Sequence, residues 1–350
     1  MSTETELAPA SAGGTEHHFE FTGSAGEMGP IIFKNLLLNI ITLGFYRFWG
    51  RTNIRRYLWS NVRFMGDPLE YTGRGGELFI GFLIVFVVVF IPLIALLTWA
   101  QALMASGDTL GYVLFGVAYA FLLWLAPLGL YRAFKYRMSR TRWRGIRGAQ
   151  LESGVRYATE YFSYTIFTLL TFGLLLPVLD NKMFKLESNN RRFGSGAFAY
   201  DAKSGPLYKG FLISYGLVAL GYALVYFSAG NVAGLGLLAI LALYVFFGLA
   251  FVVYEMSRLQ HFWNNTKFEN CEFRFSGTIG ELVKLYLGNI LLTIFTLGIA
   301  YPIAQMRIVR FMAEHIVLEG DLDLSSISQS DEAEPEFGEG LAEGFDMGTI

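Results

Sequence analysis

The chain has 350 residues, 53% of them hydrophobic and 16% charged, with 32 Phe and 19 Tyr. That balance is too apolar for an ordinary soluble domain and reads as an integral membrane protein. The formal net charge of −2 gives no direction as a total because the charges are unevenly spread, and the single cysteine, Cys271, excludes an intramolecular disulfide.

Residues 1–18 have neither the basic start nor the apolar core of a cleavable signal and are expected to form a disordered tail. A short β-like piece, 19–22, leads to a first short apolar stretch, 31–49. Residues 51–63, RTNIRRYLWSNVR, read as a basic helix with interleaved aromatics, and 63–65 with 69–71 as a small hairpin around Gly66, Asp67 and Pro68. Two long apolar runs follow, 78–99 and 110–130, and then the basic stretch 131–144, which again reads as helical. A second short apolar stretch, 161–179, precedes a β-like piece at 197–200 and two more long runs, 207–227 and 232–254. The chain ends with a strand-like 272–275, a third short apolar stretch at 282–303, a hairpin expected from 316–318 and 322–324, and an acidic tail, 326–350, expected to be disordered.

Crossing a hydrocarbon layer of about 30 Å takes about 20 residues at 1.5 Å rise, so the four long runs are expected to span. Lys209 is the one charge in them and lies near a run's start. Each short stretch carries T-[LF]-G: Thr42-Leu43-Gly44, Thr171-Phe172-Gly173 and Thr296-Leu297-Gly298. Gly, with Pro177 or Pro302 close behind, interrupts a helix, so these stretches span, lie at the interface or re-enter.

Two registers of self-similarity organise the chain. Residues 19–44 and 273–298 agree at 12 of 26 positions without a gap. At an offset of 129, Thr42, Gly44, Asn61, Arg63, Phe64, Tyr71, Gly76, Leu78 and Gly81 to Ile84 recur in 171–213. The expected units are 19–157, 158–268 and a partial third, 269–325. The expected fold is an all-α integral membrane protein, a repeat-built polytopic helical bundle with small cytoplasmic β-hairpins.

Lys and Arg stay on the cytoplasmic side of membrane helices. The linkers 100–109 and 228–231 carry none, whereas segments 50–77, 131–160 and 180–206 are rich in them. Three basic segments in the cytoplasm is the simplest topology, and it makes 161–179 a re-entrant or interfacial element. An inverted-repeat topology, with that stretch crossing, is the competing arrangement.

Candidate functional residues are few. Asn35, Asn39, Thr42, Asn289, Thr293 and Thr296 fall at helical spacing on one face, and Thr171 repeats the motif. Buried amides must meet protein, water or substrate. The plain account is that they cross-link neighbouring elements. Arg51, Arg55, Arg56, Arg137, Arg140, Arg142 and Arg144 sit among aromatics beside membrane helices, a pattern suited to anionic phospholipid and, less well, to nucleic acid, so no nucleic-acid partner is expected. Glu27 and Glu281, ahead of the first and third short stretches, either cap helix N-termini or guard an entrance. The four histidines lack zinc-site spacing, and neither a phosphate-binding Gly loop nor a nucleophile elbow is present. No enzyme, metal or cofactor is expected.

F-x-F-[ST]-G at Phe19–Gly23 and Phe273–Gly277, N-x-L-L-x-x-x-T-L-G from Asn35 and Asn289, and the R-W-R-G-I-R of Arg142 to Arg147 resemble the YjgN-like family of bacterial inner-membrane proteins, domain of unknown function 898. The resemblance covers most of 19–325 and implies a multi-pass inner-membrane protein without an established activity; the charge count adds basic loops in the cytoplasm. Tyr164 stands where the pattern has Asn35 and Asn289. Two functions follow: a transporter or channel whose interrupted elements line a path, favoured by the repeats, or a non-transporting scaffold or regulator whose basic face binds anionic lipid or a protein partner.

Overall fold

The computed structural model describes residues 15–231, 236–324 and 327–329. Its centre is a closed barrel of ten antiparallel strands. These are β1 (Glu16–Phe21), β2 (Val62–Phe64), β3 (Asp67–Tyr71), β4 (Thr141–Trp143), β5 (Ile146–Gln150), β6 (Arg191–Phe193), β7 (Gly196–Tyr200), β8 (Thr266–Phe268), β9 (Cys271–Phe275) and β10 (Ile316–Glu319). The expected all-α bundle with separate hairpins is therefore corrected: the β pieces join into one sheet without edges. Strands of three to six residues are too short for their alternation to name a partner, and the pairing that closes the barrel, His17 opposite Leu318, joins segments about 300 residues apart.

Four tight turns join consecutive strands, with left-handed backbone at Met65 and Gly66, Arg144 and Gly145, Gly194, and Glu269. Such turns match the twist of paired strands. Residues 141–144, expected to continue a basic helix, instead form β4 and the start of its turn. Phe19, Phe64, Leu69, Trp143, Phe193, Phe198, Phe268, Phe273 and Leu318 point inward and enclose an apolar cavity of about 170 Å³. Glu20 opposite Arg63, Glu70 opposite Arg142, and Lys267 opposite Glu272 face outward. Arg274 pairs with both Glu16 and Glu319 across the closing seam.

All four turns lie at one end of the barrel, so every helix pair leaves and returns at the other. Three pairs are short: α1 (Ala25–Ile41) with α2 (Arg47–Asn61), α5 (Gly154–Leu170) with α6 (Leu176–Asn189), and α9 (Ile279–Phe295) with α10 (Tyr301–His315). Two pairs are long: α3 (Gly75–Ala105) with α4 (Thr109–Arg140), and α7 (Leu207–Asn231) with α8 (Gly236–Trp263). Short and long pairs alternate along the chain, which is the physical content of its repeats. The expected units 19–157 and 158–268 each contain one short and one long pair, give or take the start of α5, and 269–325 contains the last short pair. In α3 the helix widens to a π-turn at Phe86–Phe90, where the Ile91 amide bonds back to Phe86 just ahead of Pro92, which lacks an amide hydrogen.

Residues 16–18, assigned to a tail from sequence, are the start of β1; 1–14 lie outside the described residues, as does most of the expected acidic tail. Residues 322–324, expected to pair as a strand, do not. Leu322, Leu324 and Ile327 pack against the barrel core, and Ser328 and Gln329 hydrogen-bond to Ser195, Gly145 and Arg147 at the turn end. This strap covers that mouth of the barrel.

Candidate functional site

The surface that meets the membrane is built by the tips of the helix pairs. At each short tip the T-[LF]-G motif ends one helix and starts the next. Thr42 donates its hydroxyl to the Leu38 carbonyl at 2.7 Å and accepts from the Tyr46 amide at 2.9 Å. The Gly44 amide reaches back to the Asn39 carbonyl at 2.8 Å, with Leu43 and Gly44 both left-handed at φ 51° and 94°. Thr296 and Gly298 repeat these bonds, and Thr171 and Gly173 most of them. Pro177 and Pro302 sit in the first turn of the returning helix, where a missing amide hydrogen costs nothing. The short stretches thus turn back toward the barrel.

A bulky left-handed residue stands at each tip, almost fully exposed: Leu43 89%, Phe172 85% and Leu297 90%. Ile40, Ile41, Leu169, Leu170, Ile294 and Phe295 around them are exposed as well. A 17-residue helix rises about 25 Å, and its apolar residues are concentrated in the outer part, toward the tip.

Behind the tips, the candidate amides tie the two arms together. Asn35 donates to the Gly50 carbonyl at 3.1 Å and accepts from Asn53 at 3.2 Å; Asn289 donates to the Ala304 carbonyl at 3.3 Å. In the middle pair Tyr164 packs in a cluster with Leu179, which occupies the position of Gly50 and Ala304. Thr293 bonds to the Asn289 carbonyl of its own helix, and the Asn39 side-chain carbonyl is buried without a hydrogen bond. Glu281 and Thr278 form a reciprocal cap at the start of α9, and Glu27 accepts from the Tyr57 hydroxyl at 2.9 Å.

The basic candidates do not share one place. Arg51 and Arg56 lie on α2, Arg56 exposed and donating to the Gly73 carbonyl at 3.3 Å. Arg55 is buried against the Tyr71 hydroxyl at 3.3 Å. Arg137 and Arg140 close α4, where Arg140 meets Glu77 at 3.0 Å. Arg142 lies on the outer wall of the barrel, and Arg144 pairs with Asp67 at the turn end, away from the helices.

One feature escaped the sequence reading. Between α5, α6 and α8 a cavity of about 450 Å³ brings Asp180, Glu187, Glu255 and Arg258 together with Tyr157 and Tyr161. Tyr157 donates to Glu187 at 2.8 Å, Tyr254 donates to Asp180 at 2.9 Å, and Arg258 bridges Asp180 and Glu255 at 3.3 and 2.8 Å. Burial pushes the Glu187 carboxyl above its ordinary value, opposed by Arg191 and the Tyr157 hydroxyl, and burial likewise raises Tyr157. The available signal was Glu255 and Arg258 directly after an apolar run, but their partner Asp180 lies 75 residues earlier than Glu255.

The family described as bacterial protein of unknown function (DUF898) matches residues 16–344. The chain belongs to this family. "Inner membrane protein YjgN" of Salmonella typhimurium is 27% identical over 362 aligned positions, spanning 88% of this chain and 89% of that protein. The protein of the same name from Escherichia coli O157:H7 is 25% identical over 369 positions, with the same coverage. No solved structure matches the chain. With four helices long and apolar enough to cross a bilayer, the chain is a multi-pass inner-membrane protein.

The motifs that carry the family resemblance are structural in this chain. In F-x-F-[ST]-G the second ring folds over the glycine two residues on: a side chain at Gly23 or Gly277 would lie within 2.9 Å of Phe21 or 2.7 Å of Phe275. R-W-R-G-I-R is a tight hairpin with its Trp143 in the barrel core.

Proposed function

We propose that the protein is a non-transporting membrane scaffold whose half-depth helix pairs and basic surface engage anionic phospholipid in the cytoplasmic leaflet. The observation that carries this reading is the three exposed, left-handed, bulky tips. Holding Leu or Phe left-handed costs about 1–2 kcal/mol. Among the described residues nothing packs on Leu43, Phe172 or Leu297 closely enough to offset that. Transfer of such a side chain into hydrocarbon contributes about 1.5–3 kcal/mol. Two further observations support it. Between 11% and 28% of the apolar window of each spanning helix is buried, so these helices face lipid far more than they line a path. The barrel lumen has an entirely apolar lining, which offers nothing to replace the water around an ion or polar solute.

Transport is the second reading, favoured by the Asp180, Glu187 and Glu255 cavity, whose carboxylates would suit a coupling proton. Spin labels at positions 43, 172 and 297 in phosphatidylglycerol-containing liposomes separate the two. The scaffold reading expects all three labels in hydrocarbon near the bilayer midplane, none of them passing into the far leaflet, with no flux of protons, metal ions or small solutes above empty liposomes. Labels in water, or protein-dependent flux abolished by Asp180→Asn, would overturn it.

A further inference from the structure

Between α2 and the start of α3 lies a cavity of about 400 Å³ lined by Trp49, Thr52, Asn53, Arg56, Arg74 and Glu77. A neighbouring cavity of about 360 Å³ lies on the other side of Arg56 and Asn53, beside Lys34 and Tyr57. Arg56 thus borders both cavities, with Arg74 lining the first and Lys34 the second. The single carboxylate there, Glu77, is already engaged by the Tyr136 hydroxyl at 2.6 Å and by Arg140 at 3.0 Å. Among the described residues neither Lys34 nor Arg74 has an ion pair or a side-chain hydrogen bond, and Arg56 contacts only a backbone carbonyl, that of Gly73.

The repeat supplies an internal comparison. In the second copy Lys185 and Lys203 stand at the positions of Arg56 and Arg74, and Asp201 stands at that of Thr72. Asp201 pairs with Lys185, so that copy supplies a carboxylate to one of its two cations where the first copy has Thr72. In the last short pair Arg310 donates to the Gly23 carbonyl as Arg56 does to that of Gly73, but no second arginine stands across from it. Only the first copy leaves two arginines facing a cavity without an acidic partner. Coulombic attraction between guanidinium groups and a phosphate is strong and bidentate where water is partly excluded.

We propose that this cavity holds the phosphate of an anionic phospholipid from the surrounding leaflet, with Arg56 and Arg74 as its two ligands and Lys34 beside the headgroup. The proposal rests on the scaffold reading and names the lipid group that the basic surface recognises. Trp49 forms the wall on the tip side, where its ring suits the boundary between headgroup and acyl chain.

Native mass spectrometry of the full chain in neutral detergent, titrated with phosphatidylglycerol or phosphatidylcholine, tests the assignment. Arg56→Gln with Arg74→Gln is expected to weaken the first phosphatidylglycerol by about tenfold. Lys185→Gln with Lys203→Gln, removing equal charge from the equivalent positions, should leave it unchanged. Arg56→Lys with Arg74→Lys guards against misfolding and should retain part of the binding. Equal loss in both glutamine pairs, or no loss in either, overturns the site, as does equal affinity for phosphatidylcholine. Displacement of the lipid by millimolar inorganic phosphate would assign a soluble anion instead and overturn the lipid source. Tip depth, read by the spin labels, does not depend on these arginines, so failure here leaves the scaffold reading to its own test.

Discussion

Asn35 carries the structural logic of its helix pair. Its amide bonds one arm to the other twice, to Gly50 and to Asn53, whereas Asn289 does so once, to Ala304. A hydrogen bond of this kind contributes about 0.5–1.5 kcal/mol net, and more when its loss strands a buried partner. Asn35→Leu is therefore expected to destabilise the protein by about 1–3 kcal/mol and Asn289→Leu by about 1 kcal/mol, measured by chemical unfolding in detergent. Identical stabilities in the two variants and the parent would remove these amides from the account. The three- and four-residue spacing of Asn35, Asn39 and Thr42 was plain in the text of the chain, because a helix places such residues on one face. Their acceptors were not, because Gly50 has no side chain to mark it and its position depends on where the chain reverses.

Among the elements, the α5–α6 pair differs from its two relatives by carrying carboxylates inward. Glu187 faces Tyr157, with Arg191 close by and Arg258 across the cavity. Its raised carboxyl means that the folded state holds a proton more firmly than the unfolded chain. Stability conferred by that proton is present at low pH and is lost as pH rises from the ordinary value of 4.5 through the raised folded value. Glu187→Gln has no proton to lose, so its melting temperatures in detergent at about pH 5 and about pH 7.5 should lie closer together than those of the parent. Unchanged separation would mean the carboxyl is not desolvated. Spanning helices were legible because twenty apolar residues in a row have few other readings. The carboxylate cavity was hidden because Asp180 and Glu187 come from α6 and Glu255 from α8, with β6, β7 and the spanning helix α7 between them.

For the molecule as a whole, the barrel is the element that sequence reasoning could least reach. Each tight turn is local and has left-handed positions such as Gly66 and Gly145, so single hairpins were within reach. Closure instead depends on β3 meeting β4 and β1 meeting β10, pairings across long insertions between strands of three to six residues, too short for their pattern to specify a partner. The sole thiol reports on closure directly. Cys271 is fully buried in the barrel core and belongs to β9, the neighbour of β10. Removing residues 1–21 takes away β1 and opens the seam, so maleimide labelling of Cys271 in native conditions should accelerate by an order of magnitude or more. Unaltered labelling would show that the remaining nine strands close without it.

The seam also imposes an order of events during synthesis. β1 emerges ahead of both long helix pairs, and its partner β10 follows about 300 residues later, after those pairs have been handed to the bilayer. At about 5–20 residues per second the first strand waits roughly 15–60 s with one hydrogen-bonding edge unoccupied. Lateral insertion therefore precedes ring completion, and the nascent chain needs its open edge shielded, by the ribosome's surroundings or a chaperone, until the final turn of translation supplies the missing neighbour.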